Sequence, residues 1–448
     1  MATVMPEVGG SRWRLVTWPY VLLAIPMLCM IVGTGLDFRL IGDEGRYHLK
    51  AIEIFATRPL AEAVADYPSA STPLPYFLFA NFGHVFGFEV WKLRLFNVLI
   101  SYVAVMLFFR LARRQGLPYP LVSSVLFLFM PYIFFFGFTV YTVSFGLLFG
   151  VWALHYYLLQ EPRERDLLWG GILATMAIYS RQYYLMLPVG MLLSEFRHVR
   201  WNDLRGTIVR RYRRWALLVL PLVAFAPLVV MWKGLTPPQL QQGHFVHPVL
   251  KHVNFLPIFV GFYFLPALID GRTGGLWGKR RFAFLALALL VPLYFAFPVV
   301  YSETASEIGA AGGIIAHGFD IVGDRVGRTA EIAGWFGVWL IGTWIILAEI
   351  SRRPWDQTKT TMVGLMIAFI ALLTLTPYVY ERYYTASVPI LIVLLYRTAR
   401  RPMVLWAWSV FLVGVSVIYS YYQIRLKSME GWGVINQDWF HVIKDLPG

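Results

Sequence analysis

Residues 118–160 read PYPLVSSVLFLFMPYIFFFGFTVYTVSFGLLFGVWALHYYLLQ and contain no Asp, Glu, Lys or Arg. A helix crosses the hydrocarbon core of a bilayer in about 20 residues. The run is therefore too long for one crossing and long enough for two, joined by a tight hairpin that we place around Gly137. The same pattern recurs on both sides of it. Apolar runs lie near 16–36, 95–111, 119–136, 139–159, 167–180, 183–196, 215–232, 255–270, 282–301, 334–350, 361–379, 385–397 and 402–421. Each read as a helix, they predict an all-α polytopic membrane protein with about 13 transmembrane helices, range about 11–14, forming one integral membrane domain over 1–448.

Composition agrees. Hydrophobic residues make up 58% of the chain and charged residues 14%, where soluble domains carry about 25% charged residues. A net charge of +14 is compatible with nucleic-acid binding in principle. Here, however, the basic residues sit in short clusters between apolar runs rather than on one solvated face. Cys29 is the single cysteine and has no partner for an internal disulfide. The chain has no Gly-rich nucleotide loop, no Walker lysine and no Cys/His metal spacing. The first apolar run follows Arg12 and Arg14 and is longer than a signal-peptide core, so it reads as an uncleaved span.

Basic clusters fix the expected orientation. Arg110–Arg113–Arg114, Arg163–Arg165, the run 197–214, Lys279–Arg280–Arg281, Arg352–Arg353 and Arg397–Arg400–Arg401 fall in alternate connections, on the side of Arg12 and Arg14. The positive-inside rule makes that side cytoplasmic, N-terminus included. The long segments 37–94, 233–254 and 302–333 and the tail 422–448 are then external. A bacterial inner membrane is favoured over the endoplasmic reticulum.

Candidate chemistry sits on that external side. Asp43 and Glu44, with His48 behind them, follow the first span. Two carboxylates at a membrane surface suit a general base facing a lipid-borne substrate, or else a solvated interfacial turn. Residues 47–56 look amphipathic, as expected of a helix lying along the membrane plane. Arg181 and Gln182 join two spans, where an arginine either grips a phosphate with its fork or bonds lipid headgroups. Glu381 and Arg382, with Tyr383, stand similarly at a later span end. There Glu381 either neutralises Arg382 or leaves it for a phosphate. His244 and His247, with Lys251 and His252, form a basic, titratable patch, with too few ligands for zinc. His317, Asp320 and Asp324 fall on a Gly-rich segment, 308–327, expected to be a flexible loop. Arg94 and Asn97 read as structural or headgroup contacts.

These motifs together resemble the GT-C superfamily of membrane glycosyltransferases, and within it the dolichyl-phosphate-glucose α-1,2-glucosyltransferase family. Asp43-Glu44 with His48 stand in register with that family's acidic pair and histidine. Asp66-Tyr67-Pro68, Ser71-Thr72 and Pro75 are similar to its next segment, and Leu93-Arg94-Leu95-Phe96-Asn97 to the one before its second span. Met130-Pro131 through Tyr141-Thr142, Ser180-Arg181-Gln182-Tyr183 and Glu381-Arg382-Tyr383-Tyr384 follow in the same order. Gly42 and Tyr183-Tyr184 depart from the pattern.

The resemblance implies an inverting transfer of a sugar, glucose in that family, from a polyprenyl- or dolichyl-phosphate donor to a lipid-linked glycan or glycolipid. Asp43 would be the base, with Glu44 the second choice. His48 would orient it or the acceptor. Arg181, Gln182, Arg382 and His244 would hold the donor phosphate, with Tyr383, Arg94 and His317 nearby. No metal is required by that scheme, because the cations neutralise the phosphodiester. Transfer of mannose, arabinose or an amino sugar to lipid or protein is the nearest alternative. A transporter or flippase is the rival from another class, and it lacks the internal repeat such folds show.

Overall fold

The apolar runs are helical in the computed structural model, and no strand occurs among the described residues, which are 12–159, 162–199, 201–239, 249–269, 280–297, 299, 313–352, 355–376 and 379–426. Helix α1, Arg12–Thr34, leads into a first loop holding α2 (Leu49–Thr57), α3 (Leu60–Ala65) and α4 (Leu74–Phe86). Next come α5 (Val90–Arg114), α6 (Pro120–Leu128), α7 (Pro131–Gly137), α8 (Val143–Tyr157), α9 (Glu164–Ser180) and α10 (Met186–Glu195). The second half holds α11 (Leu204–Trp232), α12 (Lys251–Tyr263), α13 (Pro266–Ile269) and α14 (Arg280–Ala296). It ends with α15 (Ile314–Val326), α16 (Arg328–Ser351), α17 (Gln357–Leu373), α18 (Val388–Tyr396) and α19 (Pro402–Tyr421).

Every expected span falls on one or two of these helices. The described helices Val90–Arg114, Arg205–Trp232, Arg328–Ser351 and Pro402–Ile424 are long and apolar enough to cross a membrane. The pair α6 and α7 makes a fifth if its 67° bend is one broken span. The chain is thus an all-α multi-pass membrane protein, with four or five helices of spanning length among the described residues. The bend has a cause in sequence. Pro131 cannot donate a backbone hydrogen bond and forces Met130 to an extended ψ of 120°.

Three boundaries differ from expectation, each for a physical reason. Helix α11 begins at Leu204, earlier than the apolar run, because Asp203 accepts from the Gly206 N–H at 3.0 Å and caps a basic first stretch. The Gly-rich segment expected to be a loop is helical from Ile314, where its first N–H groups find Tyr132 and Glu381. Residues 328–333, expected in an external loop, open α16. Residues 49–57 are the expected short helix, burying Leu49, Ala51, Ile52 and Phe55.

Helices α5, α8, α9, α11, α10 and α17 pack in that order of contact, and α12 packs on α16. The α12–α16 crossing is backbone to backbone. A Cβ on Gly342 would overlap the Pro257 carbonyl, and one on Gly261 the Val338 carbonyl. Small residues give helices in lipid this close approach. The two ends of the helix array differ in chemistry. At one end Arg114 donates to the His155 carbonyl, Arg211 and Arg214 grip buried Glu195, and Arg397 pairs with Asp356. At the other end lie Asp43, Arg94, Tyr141, Arg181 and Arg382.

Candidate active site

Gly42, at φ +46°, turns the extended chain after α1 into a π-helical turn, Glu44–His48, with Asp43 at its start. Consecutive residues of a helical turn point roughly 100° apart. The two adjacent carboxylates therefore face different surroundings.

Glu44 turns inward and is fully buried. Arg94 spans its carboxylate, Nε to Oε1 at 2.9 Å and Nη2 to Oε2 at 2.7 Å. The Val140 and Ile41 N–H groups donate to the same two oxygens at 2.8 and 3.2 Å. Arg94 also donates to the Leu36 and Phe38 carbonyls at 2.8 and 2.7 Å. It is 1% exposed. Of the two roles open to Arg94 in the sequence, the contacts are those of the structural one.

Asp43 turns outward, with 29% of its side chain exposed. Its Oδ2 accepts from the Tyr141 hydroxyl and from Arg382 Nη1, both at 2.7 Å. Arg382 Nη1 also donates to the Tyr141 oxygen at 2.9 Å, closing a triangle. Among the described residues nothing bonds Oδ1. Burial pushes the Asp43 carboxyl up, but the Arg382 guanidinium and the Tyr141 hydroxyl outweigh it and hold the group at about 2. Asn97 donates to the carbonyls of Phe136 and Thr139 at 2.7 and 2.6 Å, fixing the turn that carries Tyr141, and Phe136 stacks on that ring at 4.1 Å.

His48 lies behind Asp43, edge-on to Tyr141 at 4.3 Å, with Nδ1 2.8 Å from the Tyr76 hydroxyl. Burial, with Arg181 and Arg382 nearby, pushes its imidazole down to about 3 against the pull of Asp43, so it is neutral at pH 7. Tyr76 meets Ser69 Oγ at 2.5 Å. Ser71 meets Thr142 at 2.9 Å, Thr72 donates to the Ile178 carbonyl at 2.7 Å, and Gln182 donates to the Ala70 carbonyl at 2.8 Å. Gln182 thus ties the first loop to the end of α9.

Arg181 ends α9, with its guanidinium carbon 5.9 Å from the ring centres of both Tyr141 and Tyr183. No hydrogen bond or ion pair reaches its guanidinium among the described residues. Arg382 lies 4.8 Å over Tyr380, and its Nε is a buried donor with no partner among the described residues. Tyr383 lies tilted 5.3 Å from Tyr183 and edge-on 5.2 Å from Tyr380, making an aromatic wall beside both cations. Glu381 does not neutralise Arg382. It is buried, accepting from the Tyr263 hydroxyl and from the Ile315 N–H at 3.0 Å. Burial pushes its carboxyl up to about 7 against those bonds.

The structure therefore brings together Asp43, His48, Arg181, Arg382 and Tyr383, with Gln182 and Arg94 bracing their supports. His317 is on the exposed face of α15, 6.1 Å from the Tyr422 ring and outside this group. His244 lies outside the described residues. Tyr141 is the residue sequence reading missed. It stood in a quoted motif, but only the fold carries it to Asp43. With Glu44 and Arg94 cancelling and His48 neutral, two guanidiniums face one carboxylate among the described residues, leaving one positive charge there for an anion.

Residues 69–232 match the model of the dolichyl-phosphate-mannose-protein mannosyltransferase family, a mannose rather than a glucose family. The matched stretch holds Tyr141 and Arg181. No curated protein matches the chain. Among solved structures, the S. cerevisiae protein O-mannosyltransferase Pmt1-Pmt2 complex bound to the sugar donor aligns at 18% identity and TM-score 0.39, over 57% of this chain. The chain spans only 37% of that protein's length. ArnT from Cupriavidus metallidurans bound to undecaprenyl phosphate aligns at 17% identity and TM-score 0.42, over 91% of this chain and 77% of that one. Its apo form gives 14% and 0.39, over 92% and 78%.

Proposed function

We propose that the chain is a GT-C-type glycosyltransferase that moves a sugar from a polyprenyl-phosphate donor to a hydroxyl acceptor at the external membrane face. The observation that carries this is the unpaired Arg181 beside the Asp43–Arg382 pair. Among the described residues the site holds one carboxylate and one surplus positive charge, matched to a phosphodiester monoanion. Asp43 Oδ1, free of partners among the described residues, takes the acceptor's hydroxyl proton as that oxygen attacks the anomeric carbon. The bond from that carbon to the phosphate oxygen breaks on the opposite face, so the configuration inverts. Arg181 and Arg382 stabilise the charge that grows on the departing lipid phosphate. The tyrosines 183, 380 and 383 form a wall for the sugar or the first isoprene units. Glu44 holds the loop through Arg94 and takes no proton.

The matched family's name supports mannose better than glucose as the donor sugar, and it admits a protein as well as a lipid acceptor. The test is transfer by purified protein in detergent. Polyprenyl-phosphate mannose and glucose are offered separately, with a glycolipid extract and a Ser/Thr peptide as acceptors. Transfer that Asp43→Asn abolishes, with the variant still folded, supports the reading. Mannose turnover alone discards the glucosyltransferase resemblance. Full activity of Asp43→Asn rules out Asp43 as base.

A further inference from the structure

The contact between Asp43 and Arg382 presents a conflict within this reading of the site. A carboxylate held by a guanidinium at 2.7 Å and by a phenol at 2.7 Å is a poor proton acceptor. A guanidinium spent on a carboxylate is likewise a poor ligand for a phosphate. One movement relieves both. We infer that the donor phosphate takes Arg382 from Asp43, and that Tyr141, bonded to both, is the positioning residue that keeps Asp43 aimed when the pair opens. The base is thus released only when a donor is seated, and donor binds before the acceptor is deprotonated.

Four observations support this. Arg382 Nε is buried without a partner among the described residues, so its present pose leaves unused an N–H that could donate to a phosphate oxygen. Arg181 stands ready as the fixed cation, without an ion pair to break. Tyr141 does not depend on Arg382 for its place, because Phe136 stacks on its ring and Asn97 holds its turn. Asp43 lies well below the usual carboxylate range while paired, so losing Arg382 raises its basicity.

Because the inference rests on the reading of the site as a lipid-phosphate site, its test is a binding cycle with a short-chain polyprenyl phosphate in detergent. The proteins are wild type, Asp43→Asn, Arg382→Gln and the double variant. Removing Asp43's charge frees Arg382, so Asp43→Asn, inactive in transfer, binds the lipid phosphate roughly fivefold more tightly, the worth of a partly exposed ion pair. In the Arg382→Gln background the same change tightens binding by less than about twofold. Equal tightening in both backgrounds means simple repulsion between Asp43 and phosphate, and it overturns the exchange. No tightening in either also overturns it. No binding by any of the four overturns the reading of the site along with the exchange. Asp43→Ser gives the same comparison should the Asn variant not fold. For Tyr141→Phe, kcat falls about tenfold while lipid-phosphate affinity stays within about twofold, a split that a general loss of structure does not give. An unchanged kcat removes Tyr141 from the role.

Discussion

Replacing Arg94 with Met is the sharpest test of how the site is held. Arg94 is the only described cation on the fully buried Glu44, and its guanidinium also donates to Leu36 and Phe38 in the chain leading to Asp43. Methionine fills much of the volume but leaves the Glu44 carboxylate uncompensated, with only the Ile41 and Val140 N–H groups on it. Breaking a buried pair by removing one partner costs about 3–5 kcal/mol, whereas replacing both partners by neutral groups is often close to neutral. The double variant Arg94→Met with Glu44→Gln should therefore recover roughly 2 kcal/mol of the loss. Unfolding in mixed micelles of mild detergent and SDS measures both, with apparent Tm as a cross-check. The reasoning is refuted if Arg94→Met costs under about 1 kcal/mol, or if the double variant is as unstable as the single one. Glu44→Gln alone separates support from chemistry. It too strands one buried charge, Arg94, and should lose stability; if Glu44 were the base, activity per folded molecule would vanish as well.

Three further outcomes follow from the geometry. Arg181→Gln removes the unpaired cation and should raise the donor KM about tenfold or more, the worth of a hydrogen bond to a charged group, with apparent Tm unchanged; an unaltered KM removes Arg181 from the donor site. Gly313 sits at φ +120°, where an added Cβ overlaps the Glu381 carboxylate and Tyr132 hydroxyl. Gly313→Ala should cost about 1–3 kcal/mol, and a Tm equal to wild type would contradict the packing of α15 on Glu381. The third concerns pH. Glu381 titrates at about 7 in the folded chain, above the usual carboxylate value of 4.5, so the native state binds the extra proton. Its contribution is present below pH 4.5 and lost as pH rises through 7. His48 works oppositely. Its folded value of about 3 makes stability rise with pH up to its unfolded value of 6.5. Against wild type, Glu381→Gln should gain in Tm from pH 4.5 to 8, and a pH-independent difference would refute the raised value.

Helices were legible because lipid demands long apolar runs, and every run became a helix or a bent pair. What the runs did not give was where helices pass beyond the apolar stretch. The basic first turns of α11 continue the helix because Asp203 caps them. Nor did the Gly-rich composition of 308–327 forecast α15, whose N-terminus is satisfied by tertiary partners. The site was partly legible for an electrostatic reason. Charges near membrane depth are expensive, so Asp43, Arg181 and Arg382 stood out and they do converge. Their pairing was not legible. Asp43 and Glu44 look equivalent in sequence, and only the turn after Gly42 sends one to Arg382 and the other to Arg94. Glu381 adjoins Arg382 in the chain, yet it faces Tyr263 and Ile315. Tyr141 is one aromatic among many until the fold sets it on Asp43.

The first loop has a consequence for how such a protein diverges. Trp232 donates to the Val64 carbonyl at 2.9 Å, Thr72 to the end of α9 and Gln182 to Ala70, and the Ser71 and Thr142 hydroxyls bond each other. The loop is thus a keystone set between helices rather than a module hung from them. A recombinant chain that imports a foreign first loop has to import matching residues at 97, 136–142, 178–182 and 232 as well. Among relatives those distant stretches should drift together, while the outer lipid-facing helix surfaces drift alone.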